Sequence, residues 1–140
     1  MRRLHFRLGL AFIFVFLATG VFMALTFEEG RIDHGERMMR RSAHVYILFS
    51  ALANLLIGGY LTWREEPQFR RMQKVGSVFL LIAPAGFLAA FFIEPGPEVL
   101  HRPVSVVSAF CVLMGVILLV YGRLKEPDDR QPDAEQAAKS

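Results

Sequence analysis

The sequence predicts an all-α protein, an integral membrane antiparallel four-helix bundle made of two similar helical hairpins. Three observations predict it. Four runs, Leu8–Phe27, Val45–Trp63, Val75–Ile93 and Val104–Tyr121, contain no Asp, Glu, Lys or Arg. Each run has 18 to 20 residues, enough for a helix to cross a hydrocarbon core of about 30 Å. Hydrophobic residues make up 54% of the 140, and mean hydropathy is +0.37. Lipid offers the backbone no hydrogen-bond partner, so runs this apolar are read as helical spans. Short connections between them favour an up-down-up-down order.

The expected spans lie at about 8–27, 43–63, 75–93 and 103–121 within one transmembrane domain, 1–125. Arg2, Arg3 and Arg7 precede the first run as they would in a signal peptide. That run exceeds an h-region of roughly 7–15 residues and ends without a small-x-small site, so an uncleaved first helix is expected. Glu28-Glu29-Gly30 stops it, and the segment 31–42 is polar and locally neutral. Ser42 is expected to cap the second helix, which runs to the interfacial Trp63. The third run contains Pro84, whose ring opposes the Leu80 carbonyl and predicts a kink. The loop Glu94-Pro95-Gly96-Pro97-Glu98 is short, and Pro103 suits the first turn of the fourth helix. The polar tail 126–140 is expected to be disordered and cytoplasmic.

A net charge of +3 and a pI near 9.4 do not indicate nucleic acid, because the basic residues flank the spans instead of forming one patch. Eleven Lys and Arg lie in the N-terminus, the middle loop and the tail, against five in the first and third loops. The positive-inside rule therefore places both termini in the cytoplasm of a bacterial-type inner membrane. The expected partners are the lipid bilayer and either another membrane protein or further copies of the chain. The single Cys111 lies mid-span and forms no internal disulfide.

The second half repeats the first. Gly20, Ala24, Glu28 and Gly30 are matched by Gly86, Ala90, Glu94 and Gly96, and His44, Ala51, Asn54 and Gly58 by His101, Ser108, Cys111 and Gly115. On a helix each second set falls within a sector of about 80°. Small and weakly polar residues on one face allow close packing. Two such hairpins would bring His44 and His101 together across a pseudo-twofold axis.

No catalytic arrangement is apparent. The leading chemical reading is a haem b held by His44 and His101 near the extracytoplasmic face, with Arg40, Arg41 and Arg102 at the rim to pair porphyrin carboxylates. This layout is similar to small haem-handling membrane bundles such as the half-units of haem A synthase, in architecture and without a shared motif. The resemblance implies electron transfer or cofactor handling. Copper is the alternative ion, with His34, Met38, Met39 and His44 as soft and imidazole ligands. Glu28, Glu94 and Glu98 are harder ligands. Asn54 with Cys111 or Ser108 forms a candidate polar pair that serves as glue between helices. The competing class has no cofactor: a structural or assembly subunit whose stripes serve packing alone.

Overall fold

The computed structural model describes residues 1–26, 33–61, 66–94 and 102–124. Four helices fill them: α1 (Arg2–Thr26), α2 (His34–Tyr60), α3 (Pro67–Ile93) and α4 (Pro103–Leu124), with no strand among the described residues. All four are long and apolar enough to cross a membrane. The tail 126–140, Trp63, Glu28, Glu98 and His101 lie outside the described residues.

Helix starts follow local capping chemistry, not the edges of the apolar runs. α1 begins at Arg2, because arginine is a good helix former and the Met1 carbonyl accepts the Leu4 and His5 amides at 2.9 and 3.0 Å. In α2 the carboxylate of Asp33 accepts the Gly35 amide at 3.0 Å. This cap sets the helix running well before Ser42, the residue expected to start it. Ser42 lies inside α2, and its hydroxyl donates to the Met39 carbonyl at 2.8 Å. Pro67 opens α3, and α3 continues as one helix through Pro84.

α4 is capped from a distance. Oε1 of Glu94 accepts the Val104 and Ser105 amides at 2.6 and 2.9 Å, and its second oxygen accepts the Ser105 hydroxyl. A carboxylate here satisfies orphaned donors and complements the helix dipole. Glu94 is therefore a cap in this fold, where the sequence suggested a hard metal ligand.

Consecutive helices pack antiparallel, α1 on α2, α2 on α3 and α3 on α4, while α1 touches α3 only narrowly. No extensive packing joins α1 or α2 to α4. The small-residue stripes do face inward: Ala51, Asn54 and Gly58 are buried, as are Ser108 and Gly115, with Cys111 half-buried. Between the helices lie Ile47, Leu80, Phe87 and Phe91, all buried.

The two hairpins are similar in construction but differ in register. Gly20 faces the ring of His44, whereas its counterpart Gly86 faces Ser108. In sequence, Ser108 stands seven positions after the residue matched to His44. Asp33 starts α2 within the polar segment 31–42, so His44 lies nearly three turns inside that helix.

Gly58 shows how close the approach is. A Cβ there would meet the Phe6 backbone N and Cα at 2.6 and 2.8 Å, whereas one on the adjacent Gly59 would meet nothing within 4 Å. Gly58→Ala should therefore destabilise the fold by about 1–3 kcal/mol, because backbone cannot step aside as a side chain does. Gly59→Ala should be neutral or slightly stabilising. Unfolding in detergent micelles tests the pair, and equal effects would contradict the α1–α2 packing.

Candidate functional site

The main polar constellation is built from a residue that the charge-free runs exclude. His5 lies one helical turn before Gly9 on the face of α1 that meets α2, and it is fully buried. Its Nδ1 lies 2.6 Å from Oδ1 of Asn54, and its Nε2 contacts the hydroxyl of Ser77. Asn54 Nδ2 donates to the Ser50 carbonyl at 2.9 Å and to the Leu80 carbonyl at 2.8 Å.

The amide has two donors and both go to carbonyls, so its oxygen must accept from His5. That assigns the proton to Nδ1 in the neutral imidazole and leaves Nε2 to accept from Ser77. Leu80 is free to receive Asn54 because Pro84, four residues on, has no amide proton to offer its carbonyl. One side chain thus repairs the gap that proline opens, and one imidazole ties α1 to both α2 and α3. Gln73, one turn before Ser77, is buried beside this region.

Asn54 was expected to pair with Cys111 or Ser108, and it does not. Its partners lie on α1, α2 and α3, and the Ser108 hydroxyl bonds the Val104 carbonyl at 2.7 Å. The signal for His5 was present as a stripe, since His5, Gly9 and Thr19 are the buried residues of α1. The charge-free run begins only at Leu8, so His5 falls in the arginine-bearing lead before it.

His44 is turned toward α1. Its ring stacks on Phe16 with centroids 4.0 Å apart, and Nδ1 lies 2.9 Å from the Thr19 hydroxyl. Gly20 leaves the space for this: a Cβ there would lie 3.3 Å from Cε1 and 3.5 Å from Nε2. The imidazole therefore belongs to the α1–α2 seam. Its expected partner His101 falls outside the described residues. The space between α2 and α4 is a cleft of about 500 Å³ with Tyr46, Phe49, Phe87, Ala109, Val112 and Val116 among its lining, and His44 is not part of it.

Of the three rim arginines, two face carboxylates. Arg40 bonds Glu36 at 2.8 Å and lies over the Phe91 ring at 5.9 Å. Arg102 lies 3.7 Å from Glu94 and donates to the Ser42 hydroxyl at 2.9 Å. It thereby joins the start of α4 to α2, two turns inside that helix. Arg41 is exposed.

The alternative copper set does not converge. Relative to His34, the positions of Met38, Met39 and His44 fall at about 40°, 140° and 280° around α2. Met38 is exposed and Met39 buried, on different faces of the helix. Among the described residues, no three His, Cys, Asp or Glu side chains gather as a metal site.

No protein-family model, curated protein or solved structure matches this chain.

A double-mutant cycle tests the proline repair. Asn54→Ala alone strands the Leu80 carbonyl and the His5 Nδ1–H, which should cost about 1–3 kcal/mol. Pro84→Ala restores an amide donor to Leu80, so Asn54→Ala should cost clearly less in that background. Equal costs with and without Pro84 would show that Asn54 does not serve that carbonyl.

Proposed function

We propose that this is a multi-pass membrane protein acting as a structural or assembly subunit, with both termini on the cytoplasmic side of a bacterial-type inner membrane. The observation that carries membrane residence is an inverted distribution of polarity. Buried at 0–1% exposure are His5, Ser50, Asn54, Gln73 and Ser77, whereas Phe14, Leu25, Leu56 and Val106 are 60–75% exposed. Water would solvate the first set and exclude the second; a hydrocarbon solvent reverses both preferences. Contiguous apolar faces of this length are not what a water-facing monomer presents.

Charge supports the orientation. Among the described residues, the end of the bundle with the starts of α1 and α3 carries Arg2, Arg3, Arg7, Arg70, Arg71 and Lys74 with only Glu66. At the opposite end Asp33, Glu36 and Glu94 nearly balance Arg37, Arg40, Arg41 and Arg102. The first pattern is the one retained on the cytoplasmic side.

A scaffold role is supported by what the buried polar groups do. His5, Asn54, Ser77, Thr19, His44, Glu94 and Arg102 each bond a residue of another helix or cap one. α4 packs extensively only on α3, which leaves its exposed Val106 and Phe110 for another membrane protein.

A second reading keeps haem b, or copper, on His44 with His101. One observation favours it: the Thr19 hydroxyl also lies 3.0 Å from the Val15 and Phe16 carbonyls, so it donates to them and accepts from His44 Nδ1–H. The electron pair then resides on Nε2, the arrangement that second-shell bonds impose on ligating histidines.

Two measurements separate these readings. Alkaline carbonate should leave the protein in the membrane pellet, and recovery as a monodisperse monomer in detergent-free buffer would end the membrane reading. The purified protein should be colourless and metal-free; a Soret band, or bound copper, lost in His44→Ala would instead establish the cofactor.

A further inference from the structure

The N-terminal turns of α1 carry three arginines, and the structure gathers them around one depression. A cavity of about 420 Å³ is lined by Arg2, Arg3, Phe6, Arg7 and Gly58. Arg2 is held in place, since its Nε and Nη2 donate to the Gly58 and Gly59 carbonyls, each at 3.0 Å. Those carbonyls belong to the last turn of α2, where the helix has no amides left to satisfy them. Arg3 and Arg7 stand at i and i+4, adjacent on the helix surface, where like charges repel. The cavity lining contains no acidic residue.

Below this group runs an apolar strip. Phe6, Leu10, Phe14, Leu17 and Val21 are all exposed. At 100° per residue they fall within about 80° of arc, and Arg3 and Arg7 lie at about 60° and 100° from Phe6 on the same face. Guanidinium groups thus cap the end of a continuous hydrocarbon-facing surface. Free phosphate would use only the charged end; a phospholipid matches both.

We propose that the Arg2–Arg3–Arg7 cradle binds the phosphate headgroup of an anionic phospholipid whose acyl chain lies along the Phe6–Val21 strip. This inference rests on the membrane reading above. Arginine suits a phosphodiester because its planar fork donates two parallel hydrogen bonds.

The test uses the full chain floated with vesicles of phosphatidylcholine alone and with vesicles that also contain phosphatidylglycerol. After mild detergent extraction, native mass spectrometry counts the lipids retained. The protein should float with both vesicles and keep phosphatidylglycerol in preference to phosphatidylcholine. Arg3→Gln with Arg7→Gln should lower that preference by about fivefold per arginine while circular dichroism shows unchanged helix content. Arg70→Gln with Arg71→Gln, outside the cradle, should retain it. Floating with both vesicles but without headgroup preference overturns this site and leaves the membrane reading intact. Equal loss in the Arg70/Arg71 pair replaces the cradle with a diffuse basic belt. Thermal protection by inorganic phosphate alone, equal to that by the lipid, would make it a phosphate site. Failure to float with either vesicle defeats the membrane reading and the proposal together.

Discussion

The arrangement of α1, α2 and α3 depends on the side-chain amide of Asn54. Proline in α3 leaves the Leu80 carbonyl without its helical donor, and such a carbonyl, buried without a partner, is costly. Asn54 supplies one proton to it and the other to Ser50, which fixes the direction in which its oxygen points. That oxygen then selects a donor from α1, and His5 is the donor. Because neither amide proton is left over, the geometry has one solution, and three helices acquire a common register from one residue. Polar groups that satisfy one another in this way specify an arrangement more sharply than apolar packing does.

Apolar packing then completes what the network begins. Gly58 lets α1 lie against α2 at backbone distance, and Gly76 does the same for α3 against Gly115 of α4. Dispersion contacts at such distances are individually small and add up along a closely packed helix pair. At the far end of the bundle, Glu94 and Arg102 join α3, α4 and α2 through a cap and an ion pair. α4 has no share in the His5–Asn54 network, so its position rests on α3 and on this latch.

The helical class and the number of helices were legible because the uncharged runs are long and their ends are charged. Pro84 and Asn54 were each legible as singular residues within apolar surroundings. What the sequence did not disclose was that they answer each other, since a proline gap specifies a missing donor without naming its source. The inward face of Ala51, Asn54 and Gly58 followed from periodicity. The register of the first hairpin did not, because Asp33 caps α2 from within a segment whose polarity reads as loop. The same habit of equating helix with apolar run hid His5, which lies in the arginine-rich lead of α1. The direction of His44 depends on Phe16, Thr19 and Gly20, whose proximity only the α1–α2 register determines.

Nitrogen-15 spectroscopy of the His5 imidazole in the reconstituted protein measures the central interaction most directly. The Asn54 geometry predicts a neutral ring protonated at Nδ1 and bare at Nε2, with an Nδ1 proton that exchanges slowly with water and a signal that shifts in Asn54→Ala. A ring protonated at Nε2 alone, or one that exchanges rapidly with solvent and ignores Asn54, would contradict the account.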